Sequence, residues 1–142
     1  MAAEQVPLLV SKPGQKARED VYTPTSAVDL LPTLLHATGQ PILEWREGEV
    51  IPPFSNGGTK TERPIFTVEA KENPKQGPLT KGTVSVRKGQ YELTHYFGYS
   101  GAEREFELYD LVNDPEEMEN LISSNHPVAV ELGKEVEENC EK

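Results

Sequence analysis

The sequence predicts an α+β protein: a small antiparallel sheet of about four strands with a C-terminal helix, preceded by a piece holding one strand and one helix. Three observations carry this expectation. Thr83–Arg87 and Tyr91–Phe97 flank Lys88-Gly89-Gln90, the short glycine-containing link of a β-hairpin. Glu105–Asp110 alternates acidic and apolar residues, as a strand with one wet face does. The segment from about Pro127 to Asn139 carries Val128, Val130, Leu132 and Val136 as the apolar set of a weakly amphipathic helix.

The remaining elements follow in chain order. Val6-Pro7-Leu8-Leu9-Val10 is apolar without alternation, which fits a strand buried on both faces, and Ser11-Lys12-Pro13-Gly14 closes it with a turn. Gln15–Asp20 is charged and loop-like, and Val21-Tyr22-Thr23 adds a few extended residues before Pro24. The clearest helix starts at Asp29, with Leu30, Leu31, Leu34, Leu35 and Ala37 as its apolar residues and Gly39 as its stop. Pro32 sets that start, because in a helix interior it costs about 3 kcal/mol. In the first turn its missing amide has no helical partner to lose. Asp29 then reads as the N-cap, its carboxylate accepting from the freed amides, with Ser26–Val28 as an extended or single-turn lead-in.

Residues 40–63 hold three prolines and little periodicity, and read as a long irregular connection anchored by Ile51-Pro52-Pro53-Phe54. Arg63–Ala70 alternates well enough for a strand, Lys71–Lys81 is a polar loop, and Tyr99–Glu103 makes a further turn. Asp114-Pro115-Glu116-Glu117 stacks an N-cap, a proline at the first helical position and first-turn acids, so a helix is expected to start there. The domain boundary is expected at residues 62–63, giving 1–62 and 63–142.

Composition narrows the function. A chain of 142 residues is long enough for one core, and a 35% apolar fraction keeps that core modest. Eleven glycines and twelve prolines argue for many loops. The net charge of −10 repels phosphate backbones, so no nucleic-acid partner is expected. Eight acids fall within 103–119 and five glutamates between Glu131 and Glu141, read as solvated faces. No membrane partner is expected, since no apolar run is long enough to span a bilayer, and no signal segment is visible. The single cysteine, Cys140, has no intramolecular partner for a disulfide.

Four motifs in order resemble the C-terminal subdomain of sulfatases, in the alkaline phosphatase superfamily. They are Val6–Val10 with Pro13-Gly14, Ala27–Leu35 with Gly39, the hairpin from Val84 to Leu93, and Glu107–Leu121. The last resembles the family's Glu-Leu-Tyr-Asp-Leu-x-x-Asp-Pro-x-Glu-x-x-Asn-Leu segment. One departure is Glu92, where the family usually carries lysine. The resemblance implies that the first piece is a strand-helix remnant of the larger α/β sulfatase core. It also implies a parent, bacterial in type and periplasmic or secreted, that hydrolyses sulfate esters with a formylglycine and a calcium ion. Those groups stabilise charge on the ester oxygens and supply the nucleophile.

The residues for that chemistry are missing from this sequence. Cys140 is followed by Glu141 and Lys142 and not by the Cys/Ser-x-Pro-x-Arg maturation motif, and there is no Asp-Asp or Asp-Asn pair. No catalytic or metal-ligating residue is therefore assigned; calcium and formylglycine are expected only in a catalytic half. His36 and His126 read as structural or surface residues, and Asp110 and Asp114 as turn and capping residues. His95, mid-strand in the hairpin, and Lys81, just before a strand, are the candidates for contact with substrate at a cleft rim. Tyr91, Tyr96, Phe97, Tyr99, Phe106 and Tyr109 read as sheet packing ahead of a carbohydrate platform.

Two functional readings stay open. The first is the C-terminal fragment of a sulfatase, inactive alone, with the rest of the core as its partner and a scaffold and cleft-rim role. The second is a stand-alone binding or oligomerisation module whose unpaired N-terminal strand drives a homo-oligomer. A phosphoesterase parent from the same superfamily is a third, weaker option.

Overall fold

The computed structural model describes residues 6–55, 62–71, 80–101, 105–124 and 126–140. The chain divides into two compact units, the first ending at Arg63 and the second beginning at Pro64.

In the first unit, a 3-10 turn over Ala27–Asp29 leads directly into helix α1, Leu30–Ala37. Asp29 occupies the N-cap position of α1, and Pro32 sits in the first turn as its missing amide requires. The expectation that the Asp29 carboxylate accepts from first-turn amides is corrected. It turns back to the amide of Ser26 (2.7 Å), three residues earlier, as the acidic half of a capping box. The helix ends as expected. Gly39 takes φ 69°, its amide donates to the His36 carbonyl (3.1 Å), and Gln40 donates to Leu35 (2.8 Å). Those two bonds are a Schellman ending, which glycine closes without Cβ strain.

Residues 6–25 form no helix or ladder, so the strand expected at Val6–Val10 is not paired. Leu9 is 93% exposed, against the burial on both faces that the apolar run implied. A strand of this kind needs neighbours on its edges, and no described residue supplies one. Ile51 does anchor the long connection: it is buried, and its amide donates to the Thr33 hydroxyl (3.0 Å).

The second unit is built on a four-stranded antiparallel meander. Its strands are β1 (Ile65–Ala70), β2 (Gly82–Lys88), β3 (Tyr91–Phe97) and β4 (Phe106–Asp110), in spatial order β1-β2-β3-β4. The β2–β3 link is two residues long, with Gly89 at φ 59°, as a II′ turn requires at its first central position. The loop expected at Lys71–Lys81 lies outside the described residues over 72–79, as does the Tyr99–Glu103 turn over 102–103.

Directly paired residues share a face. Val84, Val86, Leu93 and Leu108 line one side and meet Leu132 and Val136 of helix α2, Pro127–Cys140, to form the core. Leu121, Ile122, Val128 and Ala129 pack against it. Val130, read from sequence as part of the apolar set, is 63% exposed; Ala129 takes the inward position beside Val128, Leu132 and Val136. Lys88 fastens α2 across the hairpin, donating to Glu131 (2.8 Å) and Glu135 (2.5 Å) one helical turn apart.

The acidic segment after β4 does not launch a helix at Asp114. It forms turns and then a 3-10 helix at Leu121–Ser124. The Asp114 carboxylate accepts from Met118 (3.0 Å) and Glu119 (2.7 Å), further along than an N-cap reaches. Glu117 takes φ 56°, which stops α-helical continuation after one turn. Asn120 then fixes the segment to the sheet, its side-chain oxygen accepting from Leu108 (3.1 Å) and Ile122 (3.0 Å).

Candidate functional site

Alternation along the strands sends the polar side chains of the second unit to the sheet face opposite the Leu132 core. On it, Thr83, Ser85 and Arg87 of β2 pair with Tyr96, Thr94 and Glu92 of β3, and Glu107 and Tyr109 of β4 complete the surface. The Ser85 and Thr94 hydroxyls bond to each other at 2.9 Å. Tyr96 donates to the Glu107 carboxylate at 2.9 Å. Burial first, and then that carboxylate, push the Tyr96 phenol well above its ordinary range.

Glu92 is the anomaly of this face. It is 2% exposed, and its Oε2 has no hydrogen-bond partner among the described residues. Burial raises its carboxyl above the usual carboxylate range and the negative charge of Glu117 adds to this, while Arg87, directly opposite in register, works the other way. An acid here was visible in the sequence as a departure from the family's lysine, but its burial was not.

The two sequence candidates are not brought together. His95 pairs in register with Val84 and Phe106, on the core side of the sheet. Its ring stacks on Phe106 (4.3 Å between centroids, 8° between planes) and lies 5.6 Å from Phe97. The Glu105 Oε1 is 3.5 Å from Nε2, a loose contact and not a formed hydrogen bond. Lys81 lies beside the polar face instead. Its ammonium is 4.7 Å from the centre of the Tyr99 ring, and the Tyr99 hydroxyl is 3.4 Å from that of Thr83. Tyr99 meets Tyr96 edge to face at 6.5 Å.

In the first unit the chemically dense point is Asp29, whose wider role the sequence reading missed. Its carboxylate is almost wholly buried and accepts from Arg63 (2.6 Å), Ser26 (2.7 Å) and Glu49 (2.8 Å). Burial by itself would raise its pKa, but the Arg63 guanidinium and the Glu49 and Ser26 amides outweigh that and hold it below the ordinary carboxylate range. Asp29 ties the start of α1 to the far end of the long loop, which is a structural task.

Among the described residues the donor set does not fit a resident calcium ion. Among the described residues no three His, Cys, Asp or Glu side chains group closely enough to hold a metal. The Asp110 carboxylate is already used by Val112, Asn113 and Gln90, and Asp114 by Met118 and Glu119. His126 accepts from the amide of Val128 at the start of α2. Among the described residues no helix is long and apolar enough to cross a membrane.

The family model for N-sulphoglucosamine sulphohydrolase, C-terminal, matches residues 2–142. This chain belongs to that family. The chain is 32% identical over 120 residues to choline-sulfatase of Rhizobium meliloti (strain 1021), covering 82% of this chain and 21% of that protein. It is 30% identical over 124 residues to human arylsulfatase K, covering 84% and 23%. The canine arylsulfatase K is 27% identical over 146 residues, covering 95% and 25%. The chain thus spans about a quarter of the length of these curated relatives.

Solved structures share the fold of this sulfatase C-terminal part. A protein solved in complex with its substrate D-glucosamine-2-N,6-O-disulfate superposes with a TM-score of 0.59 at 23% identity, covering 80% of this chain and 23% of that one. The crystal structure of Ps i-CgsB gives 0.60 at 20% identity, covering 83% and 24%. The α+β architecture expected from sequence is the architecture of these neighbours.

Proposed function

We propose that this chain works as the C-terminal part of a sulfatase, a hydrolase of sulfate esters. There it serves as scaffold and as part of the substrate-cleft rim, and it does not turn over substrate by itself. The observation that carries this is a family match over residues 2–142 in a sequence without the Cys/Ser-x-Pro-x-Arg nucleophile motif. The formylglycine and calcium belong, on this reading, to a catalytic part that supplies the remaining three quarters of the length seen in the relatives.

That catalytic part is the proposed partner. Its docking is supported by apolar surface on the first unit: Leu30, Leu31 and Leu34 of α1 are 41%, 43% and 62% exposed. Monomeric proteins rarely leave so many large apolar side chains together in water. Lys81 and Tyr99 supply the cleft-rim side of the proposal, whereas the stacking of His95 against Phe106 favours packing for the histidine.

The test is reconstitution. The chain alone, assayed with an aryl sulfate and calcium, is expected to give no turnover. Mixed with the separately produced catalytic part of a family member, it is expected to bind and restore activity. Turnover by the chain alone overturns the reading. A second reading, a non-catalytic oligomerisation module, is favoured by the exposed Val6–Val10 segment. Dimers in sedimentation, together with failure to bind a catalytic part, would establish it.

A further inference from the structure

Where β1 and β2 open, two lysines stand directly opposite each other. Ala70 pairs with Gly82, and one step further the Lys71 amide donates to the Lys81 carbonyl at 3.2 Å. Opposite residues in an antiparallel pair project to the same face, so both ammonium groups leave the sheet together with Thr83. Like charges directly opposite destabilise a sheet. A chain with 24 acidic and 14 basic residues nevertheless keeps two cations at this point. Lys71 is relieved by a hydrogen bond to Glu69, which holds its ammonium above the ordinary range. Lys81 has no carboxylate partner among the described residues and rests over the Tyr99 ring.

The corner is also held in shape. Gly98 takes φ 71°, and a Cβ there would lie 2.0 Å from the Thr80 carbonyl oxygen, so its backbone presses on the residue before Lys81. That contact delivers Tyr99 beside Lys81, and the hydroxyl contact with Thr83 and the edge-to-face contact with Tyr96 orient the ring. The Lys81 ammonium, the Thr83 hydroxyl and the Tyr99 ring converge beside the Lys71–Glu69 pair, and an ammonium, a hydroxyl and an aromatic ring are a set that takes an oxyanion attached to a sugar.

We infer that Lys81, Thr83 and Tyr99 form a subsite for the sulfate group of a sulfated carbohydrate, with the sugar ring against Tyr99. The choice of sulfate over another oxyanion rests on the sulfatase reading.

The test is an amide-shift titration of the 142-residue chain with glucose 6-sulfate, inorganic sulfate and glucose in parallel. Glucose 6-sulfate is expected to shift the Lys81, Thr83 and Tyr99 amides saturably, inorganic sulfate to do so about tenfold more weakly, and glucose not at all. Lys81→Gln should weaken glucose 6-sulfate about tenfold and Lys81→Arg should restore most of it. Tyr99→Leu should remove the advantage of the sulfated sugar over sulfate alone. Absence of saturable shifts at these amides, or unchanged affinity in Lys81→Gln, overturns the subsite. Such a failure would leave the reconstitution result standing. Binding here without reconstitution would keep the subsite and remove the proposed role as the C-terminal part of a working sulfatase.

Discussion

Replacing Asp29 with asparagine keeps the shape of the side chain and removes its charge. In the native chain the carboxylate is 1% exposed and Arg63 18% exposed, with 2.6 Å between donor and acceptor. Removing one partner of a buried pair costs about 3–5 kcal/mol, because the other charge stays behind uncompensated. Glu49 lies 3.8 Å from the Arg63 guanidinium but is half exposed, so it compensates weakly. Asparagine retains one accepting oxygen where the carboxylate had two, so the loss should sit near about 3 kcal/mol. Folded units have only about 0.05–0.15 kcal/mol of stability per residue, so this is a large share for a unit ending at Arg63.

The readout is amide hydrogen exchange at Glu49 and Ile51, whose amides bond to Asp29 and to Thr33. Thr33 in turn donates to the Asp29 carbonyl at 2.7 Å, so both amides report on the same node. A 3 kcal/mol loss predicts exchange about 100-fold faster in Asp29→Asn. The pH dependence has a definite sign. Asp29 titrates below its unfolded value, so its contribution is complete above the ordinary carboxylate range. It is lost as pH falls through the lowered folded value, and the variant should lack this acid limb. Equal exchange in Asp29→Asn and wild type, or an unchanged acid limb, would refute the reasoning.

Two further outcomes are expected. Glu92→Gln should stabilise the chain at neutral pH by about 1–2 kcal/mol, since it removes a buried, incompletely bonded charge. Glu92 titrates above its unfolded value, so wild type loses stability as pH rises through that raised value; the two proteins should converge in acid, and a constant difference across pH in urea melts would count against this. Gly98→Ala forces a Cβ against the Thr80 carbonyl at φ 71° and should cost about 1–3 kcal/mol. It should also shift the Tyr99 amide; a melt and an amide spectrum like those of wild type would show that the backbone there is free to move.

The local elements were legible because their causes are local. Gly89 between two alternating runs, Gly39 after a leucine-rich stretch and Pro32 near a helix start each act within a few residues. Asp114-Pro115 misled for the same reason. It carries every nearby cue for a helix, but Asn120 bonds to Leu108 across the sheet and Glu117 adopts a left-handed turn, which local cues do not report. Val6–Val10 misled because an apolar run signals burial without naming what buries it.

By itself, then, the sequence determined the strands of the hairpin, the bounds of both helices, the family, and the absence from this sequence of the nucleophile motif that the family resemblance implies. Only the tertiary structure decided that His95 faces the Phe106 stack, that Glu92 is buried without a full set of partners, and that Asp29 holds Arg63 from 34 positions away. Only the β1–β2 register set Lys71 against Lys81 beside Tyr99. The physical reason is common to all of these. Side-chain direction follows from the period of a single strand, but which groups meet is set by strand pairing and loop closure, over distances along the chain that no local pattern encodes.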